Sequence, residues 1–403
     1  ALVQIALHLA RQGKRTVILT YNHGLIADIN RSLRFIGASS PDIKPLPVLK
    51  TRYKFAQEIL IQNLGEDREI DIKKISDLDG REAARFSALL KHNDPLEHNY
   101  DYVLVDEGQD WEDQHRDLMY RIFSPGRVIV ADGVDQFVGQ ARCKWDVDGI
   151  EINRRHSLRA SRRTKAATCQ TISVIARSLG LSDWDLEPDP NTHGGRFTVL
   201  VEPNAVQAVS LGLKIIDTDQ RKDSEVKAVD SLVCLPSVKA ARGINYEAIF
   251  DKEIEATERD SWRGFDEKDR RYYPKREGQL RAVRYHSCRG MEGWTTLCLG
   301  LDQFFQFQLD NPHIDVDAVE TSLKARDGLF LLSNNIKDEI AGRARKYAIN
   351  WLMIPLTRSI DHLIIHIKDE QSELGKVLAD VSKRFPGSIE WVRTEDIKQS
   401  ASK

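Results

Sequence analysis

One ten-residue stretch, Tyr102–Trp111 (Tyr-Val-Leu-Val-Asp-Glu-Gly-Gln-Asp-Trp), limits the possible folds more than any other part of the chain. Its apolar centre, Val103–Val105, is short and has no polar face. That is the pattern of a strand buried on both sides in a parallel sheet, not of a half-solvated antiparallel strand. Two carboxylates, Asp106 and Glu107, follow at once. Open α/β sheets place their ligands at the carboxyl ends of such strands. One acid there can hold Mg²⁺, directly or through water, and the next can polarise a water molecule for attack on a γ-phosphate. Gln109 and Asp110 then open the next element, where a phosphate-sensing contact would sit. An acid pair also occurs where a strand merely ends and a helix is capped, with Asp110 as N-cap. The pair therefore needs support from elsewhere in the chain.

The length of 403 residues is more than one core usually organises, so two domains are expected. We read 1–150 as the first, with a helical insertion at about 52–99, and 151–403 as the second. Thr16–Thr20, Tyr102–Val105 and Arg127–Ala131 read as strands, and Ala1–Arg11, Leu25–Leu33 and Gln114–Ile122 as helices. Within Phe35–Tyr100, helical periodicity near Phe55–Leu64 and Arg81–Lys91 marks the insertion. The pattern restarts with a long helix over Arg159–Leu179. Strands follow at Phe197–Val201, Ser231–Leu235, Trp294–Leu301 and His362–Ile367. The alternation predicts an α/β fold with parallel sheets flanked by helices.

Composition excludes some classes of protein. No run of about 18 apolar residues occurs, so no membrane-spanning helix is expected. The opening, Ala1-Leu-Val-Gln-Ile-Ala, lacks the basic segment of a signal peptide. It begins inside a helical pattern (Leu2, Ile5, Ala6, Leu9, Ala10), as though cut from a longer chain. The five cysteines form no Cys-x-x-Cys pair, which points to a reducing cytosol rather than a zinc site or disulfide framework. With a net charge of −2, a nucleic-acid partner would need a local basic groove. The segment Asp251–Glu277 is dense in charge, with Arg270, Arg271, Tyr272, Tyr273, Lys275 and Arg276. A solvated loop is its plain reading, and a phosphate-contacting arm the sharper one. Trp294 and Trp351 read as core, and His286 as a packed histidine rather than a proton-transfer group.

Four further segments keep a fixed order after the acid pair. Val130-Ala-Asp-Gly-Val-Asp-Gln136 follows a strand, and Leu158-Arg-Ala-Ser-Arg-Arg163-Thr164 opens a helix. His286-Ser-Cys-Arg-Gly-Met-Glu292-Gly-Trp294 precedes a strand, and Ile354-Pro-Leu-Thr-Arg358-Ser359 ends a helix before one. This ordered series resembles the motor core of superfamily 1 helicases of the UvrD/Rep type, from about Thr16 to Ile367.

The resemblance implies two RecA-like P-loop NTPase domains that use ATP and Mg²⁺. It implies ATP hydrolysis stimulated by single-stranded DNA and movement in the 3′-to-5′ sense on single-stranded or partly duplex DNA. By the same resemblance Asp106 would hold Mg²⁺, Glu107 would be the catalytic base, and Gln136 would sense the γ-phosphate. Arg163 and Arg358 would act as arginine fingers, since guanidinium forks stabilise charge spreading over the γ-phosphoryl oxygens. Gly290 and Glu292 match a segment that touches nucleotide and strand. Thr20, Tyr21 and Asn22 resemble the first strand-contacting motif, and His286 is grouped with these nucleic-acid contacts.

The chain also departs from the family. The sequence contains no Gly-x-x-x-x-Gly-Lys-Ser/Thr loop, and Ala1–Ala10 resembles the helix that follows that loop. ATPase activity is therefore expected of a full-length protein, and poor nucleotide binding of the chain as given. Arg162 stands where the family has an adenine-stacking tyrosine. Asp132 to Gln136 carries one extra residue, and Phe137 or Trp145 would have to supply the base-stacking aromatic. Insertions are short, which argues against processive unwinding. The rival expectation is a nucleotide-controlled switch ATPase that regulates a partner nuclease in DNA repair or antiviral (phage) defence. Either would be cytoplasmic and prokaryotic.

Overall fold

The computed structural model describes residues 2–20, 24–27, 29–30, 33, 43–133, 143–147, 156, 160–161, 163–182, 184, 186–266, 268–269, 272, 274–312 and 333–394. The chain divides into two compact units, Ala1–His156 and Ser157–Lys403.

In the first unit β1 (Thr16–Thr20), β2 (Val48–Thr51), β3 (Tyr102–Val105) and β4 (Val128–Val130) form a parallel sheet in the order β2-β1-β3-β4. Side chains of a strand alternate between faces, and this sheet uses both. Ile18 and Leu104 meet Ala6, Leu7 and Ala10 of the helix Leu2–Arg11. Val17, Leu19, Val103 and Val105 meet Phe55, Ile59, Leu118 and Met119 on the other side. A strand with helices on both faces has no room for a polar side chain, which explains the unbroken apolar run before Asp106.

Between β2 and β3 lie the helices Arg52–Leu64, Glu66–Lys73 and Leu78–Lys91. Thr51 caps the first, its hydroxyl accepting from the Lys54 N–H at 3.2 Å. Gly65, at φ 83°, breaks the chain between the first two. A buried ion pair ties the second helix to the third: Arg85 Nε donates to Glu69 Oε2 at 2.8 Å, and its guanidinium lies 4.1 Å from the Tyr53 ring centroid.

His115, in the helix Asp113–Ile122, is buried with its ring centroid 4.0 Å from that of Phe86. Burial, with some help from the nearby Arg52 charge, pushes its pKa down to about 3. The folded ring thus stays neutral where the unfolded one, with an ordinary value of 6.5, takes a proton. Its contribution to stability is complete above that value and is lost as pH falls toward 3. The steepest loss is about 1.4 kcal/mol per pH unit. Urea unfolding at pH 7 and pH 5 should show His115→Gln losing roughly 1–2 kcal/mol less than wild type over that interval. Equal losses would mean that the ring titrates normally.

In the second unit β5 (Ala160–Ser161) pairs with β6 (Glu187–Pro188). The main sheet comprises β7 (Arg196–Val201), β8 (Ser231–Leu235), β9 (Asp260–Arg263), β10 (Gln279–Arg284), β11 (Gly293–Cys298), β12 (Ser359–Ile367) and β13 (Glu390–Arg393). All seven run parallel in the order β13-β7-β12-β11-β8-β10-β9. Val209, Leu213 and Ile216 of the helix Ala205–Lys222 join Phe250 of the helix Tyr246–Ala256 against Val233, Leu235 and Leu297. The α/β class with parallel sheets flanked by helices is as expected.

A buried polar knot crosses this unit. Asp219 Oδ2 lies 2.6 Å from His362 Nδ1 and accepts from the Thr295 hydroxyl at 3.0 Å. Its Oδ1 accepts from Arg196 at 2.6 Å, and His362 Nε2 is 2.8 Å from the Thr198 hydroxyl. Burial works against the charged form of Asp219, but the His362 and Arg196 contacts outweigh it and hold the carboxyl below its usual range.

Two sequence-based boundaries are corrected. The long helix expected over Arg159–Leu179 begins only at Ala166. Ala160 and Ser161 are engaged with Glu187 and Pro188, and Lys165 is extended at φ −63°, ψ 153°. The strand expected over Trp294–Leu301 ends at Cys298, and Gly300, at φ 57°, turns the chain into the helix Leu301–Asp310. Trp294 and Trp351 are only half-buried rather than core, and the Lys165 ammonium lies 4.7 Å from the Trp294 ring. Among the described residues no helix is long and apolar enough to cross a membrane.

Candidate functional site

The acid pair sits where β3 ends. Asp106 N–H still donates to Leu19 O at 2.9 Å, so the residue is the last held by the sheet. The Thr20 hydroxyl, at the end of neighbouring β1, donates to Asp106 Oδ2 at 3.1 Å. Glu107 leaves the sheet in the left-handed region, at φ 51°, ψ 47°. A non-glycine residue adopts that conformation at some cost and needs its surroundings to hold it there.

Several contacts supply the hold. Gln109, fully buried, donates to Glu107 Oε2 at 2.6 Å and accepts from the Gly133 N–H at 2.9 Å. The backbone between the acids and Gln109 is pinned by two indoles. Trp111 Nε1 donates to Asp106 O at 3.1 Å, and Trp145 Nε1 donates to Gly108 O at 2.8 Å. Gly108 has no space for a side chain, because a Cβ there would run into Val130 and Trp145. The motif is thus anchored from β1, from the turn after β4 and from the segment around Trp145, while both carboxylates remain half-exposed.

Asp110 does not cap the following helix. A 3-10 turn spans Gly108–Asp110, and Glu112 with His115 forms the capping box of Asp113–Ile122. Trp145 is buried, edge-on to Trp111 and Tyr120, so its ring is not presented for stacking on a base. Among the described residues no group of three or more His, Cys, Asp or Glu side chains is arranged to hold a metal. A Mg²⁺ ion fits this donor set nonetheless. It is held characteristically by one or two carboxylates, with water and phosphate completing the shell.

In the second unit three separate segments converge. Arg163, half-buried just before the helix Ala166–Leu179, donates through Nε to Glu292 Oε1 at 2.6 Å and through a terminal nitrogen to Thr357 O at 3.4 Å. Gly290, at φ 76°, makes the turn that leads into Glu292, and Gly293 N–H donates to Arg358 O at 2.9 Å. Arg358 is only 2% exposed. Its Nε donates to Ile354 O at 2.8 Å and a terminal nitrogen to the Thr357 hydroxyl at 2.8 Å. The guanidinium expected at a reacting phosphate is therefore accessible in Arg163 and folded back onto its own helix end in Arg358. His286 is exposed, its ring 4.8 Å from that of Trp351 and edge-on to Phe304 at 5.9 Å.

The structure thus brings Thr20 to Asp106, and Arg163 to Glu292 and the Thr357–Arg358 turn. Tyr21, Asn22, Gln136, Phe137 and Arg162 lie outside the described residues. Sequence reasoning placed Gln109 near phosphate but missed its bridge from Glu107 to Gly133. It also missed both indoles, because a tryptophan N–H aimed at a carbonyl leaves no periodic trace.

No family model and no curated protein matches the chain. Solved structures do match. One is the C-terminal domain of a possible DNA helicase from Lactobacillus plantarum WCFS1, 14% identical at a TM-score of 0.30, with 57% of this chain and 99% of that chain covered. Another is S. cerevisiae Dbp5 bound to RNA and ADP BeF3, 11% identical at a TM-score of 0.39, with 96% of this chain and 80% of that chain covered.

Proposed function

We propose that the chain is the motor core of a nucleic-acid-stimulated ATPase, built of two RecA-like domains and related to the UvrD/Rep helicases. The observation that carries this reading is the way Asp106 and Glu107 are held. A left-handed glutamate at the carboxyl end of a buried parallel strand, clamped by Gln109 and two indoles, is more than strand termination requires.

In this reading Asp106 would hold Mg²⁺, which would supply charge neutralisation at the ATP phosphates. Glu107 orients and deprotonates the attacking water, with Gln109 fixing the carboxylate that does so. Arg163, paired with Glu292, takes the role of the arginine that stabilises charge on the γ-phosphoryl oxygens. Arg358 serves that role only if its side chain leaves the helix end, so we assign it first to holding the Thr357 turn. Thr20, Tyr21, Asn22, Phe137 and His286 form the strand-contacting set, Gln136 the link from phosphate to strand, and Arg162 with Gly290 the nucleotide contacts. The direction of movement is 3′ to 5′.

Steady-state ATP hydrolysis tests the reading, using a protein in which a phosphate-binding loop precedes Ala1, with and without single-stranded DNA. Strong stimulation by the strand is expected. Hydrolysis indifferent to the strand would favour the switch ATPase acting on a partner nuclease, and no hydrolysis at all would sink both.

A further inference from the structure

We infer that the groove between the helices Ala166–Leu179 and Glu373–Arg384 of the second unit is a docking site for a partner protein, which it takes by an acidic segment carrying an apolar side chain. None of the residues lining it belongs to the motifs around Asp106, Arg163 or Arg358. The inference therefore goes beyond the motor reading and stands without it.

The groove has a volume of about 620 Å³ and is open to solvent. Its apolar part is Val174 from one helix and Val377 from the other, both half-buried, with Phe385 just past the end of the second helix and 47% exposed. Arg384 ties the two helices together. A terminal nitrogen lies 2.7 Å from Asp380 Oδ2 and donates to Ser178 Oγ at 2.6 Å. The walls are thus set before anything binds, which lowers the entropy lost on association.

Two further cations line the groove, Arg177 and Lys376, both exposed. The acids that could neutralise them are engaged or absent. The helix Ala166–Leu179 contains none, Asp380 is paired with Arg384, and Glu373 is paired with Arg345. Lys383 adds another positive charge to the same helix, outside the groove. The helix dipole accounts for part of this pattern, because Arg177 and Arg384 stand in the last turns of their helices. It does not account for Lys376, the fourth residue of its helix, where a positive charge is disfavoured. Asp380 is the i+4 neighbour of Lys376, yet its carboxylate turns to Arg384.

Unpaired cations beside aliphatic side chains and a half-exposed aromatic ring select the occupant. Carboxylates of an acidic segment reach Arg177 and Lys376, while an apolar side chain between them covers Val174, Val377 and Phe385. Arginine and aromatic rings are the residue types enriched at such interfaces. A nucleic-acid strand fits less well, since its uniformly charged backbone would meet the valines and Asp380.

The test is fluorescence anisotropy on the whole chain, without nucleotide, using a labelled peptide of repeating Glu-Glu-Leu. Binding is expected, weakening as salt rises, and none is expected for the Gln-Gln-Leu counterpart. The double variant Arg177→Glu/Lys376→Glu should raise Kd by about tenfold, and Phe385→Ala by about fivefold. A Lys-Lys-Leu peptide should bind the double variant more tightly than wild type, a charge swap that a merely misfolded variant would not give. No binding of Glu-Glu-Leu by the wild type, or wild-type affinity in both variants, overturns the proposal. Labelled oligothymidylate bound in place of the peptide, and lost in the double variant, would make the groove a nucleic-acid contact and overturn it as well. Because no ATP is present, absent peptide binding leaves the ATPase reading untouched, and absent hydrolysis leaves the groove standing.

Discussion

Replacing Asp219 with alanine is expected to destabilise the second unit by about 3–5 kcal/mol, the range for removing one partner of a buried charged network. Asp219 is 5% exposed and its two oxygens serve His362, Thr295 and Arg196. These partners come from β12, β11 and β7, three adjacent strands of the sheet. The substitution leaves each of them without its acceptor and opens a cavity besides. Asp219→Asn keeps the volume and part of the hydrogen bonding, so a smaller loss is expected from it. The carboxyl is held below its ordinary range in the folded chain. Its stabilisation is therefore present above the unfolded value and disappears as pH falls through the lower, folded one. Hydrogen exchange at the amides of β7 and β12, followed with increasing urea, isolates this unit from the other. A loss under about 1 kcal/mol for Asp219→Ala would show that water or a neighbouring group replaces the carboxylate.

None of that knot was legible in the sequence. Asp219 lies in no element or motif read from the sequence, and His362 appeared only as the first residue of an expected strand. Their meeting depends on parallel register, which places His362 opposite Arg196 and beside Thr295. Register over 143 residues of separation has no local signature. Most of the central strands, by contrast, were legible because burial on both faces forces an apolar run; β10 is interior too but was missed, because Gln279, Arg281 and Arg284 interrupt its run. Edge strands such as β2, β9 and β13 escaped, since a half-covered strand tolerates residues like Lys50, Asp260 and Glu390. The same contrast holds at the candidate site. Asp106 and Glu107 announced themselves by chemistry and position. Gln109 was legible only as a neighbour of phosphate, not as the residue that fixes Glu107. Arg163 and Arg358 looked equivalent, and only packing separates an accessible guanidinium from an enclosed one.

Glu107→Gln should lower kcat for ATP hydrolysis by about 10²- to 10⁴-fold, the usual contribution of a positioned general base, while nucleotide binding is retained. The substitution is nearly isosteric, so the left-handed backbone at φ 51° and the indole contacts to Asp106 O and Gly108 O stay as they are. What is lost is the capacity to take a proton from water. Gln109→Ala removes the hydrogen bond that orients Glu107 without touching the carboxylate itself. A positioning residue of that kind should cost less, about tenfold in kcat. Asp106→Asn should instead weaken the response to Mg²⁺ concentration, the signature of a metal-holding acid rather than of a base. The three variants thus separate in the size of the kcat loss and in metal dependence. A Glu107→Gln protein that hydrolyses ATP within tenfold of wild type would remove the carboxylate from the reaction. The strained strand end would then be architecture alone, and the base would have to be sought elsewhere in the chain.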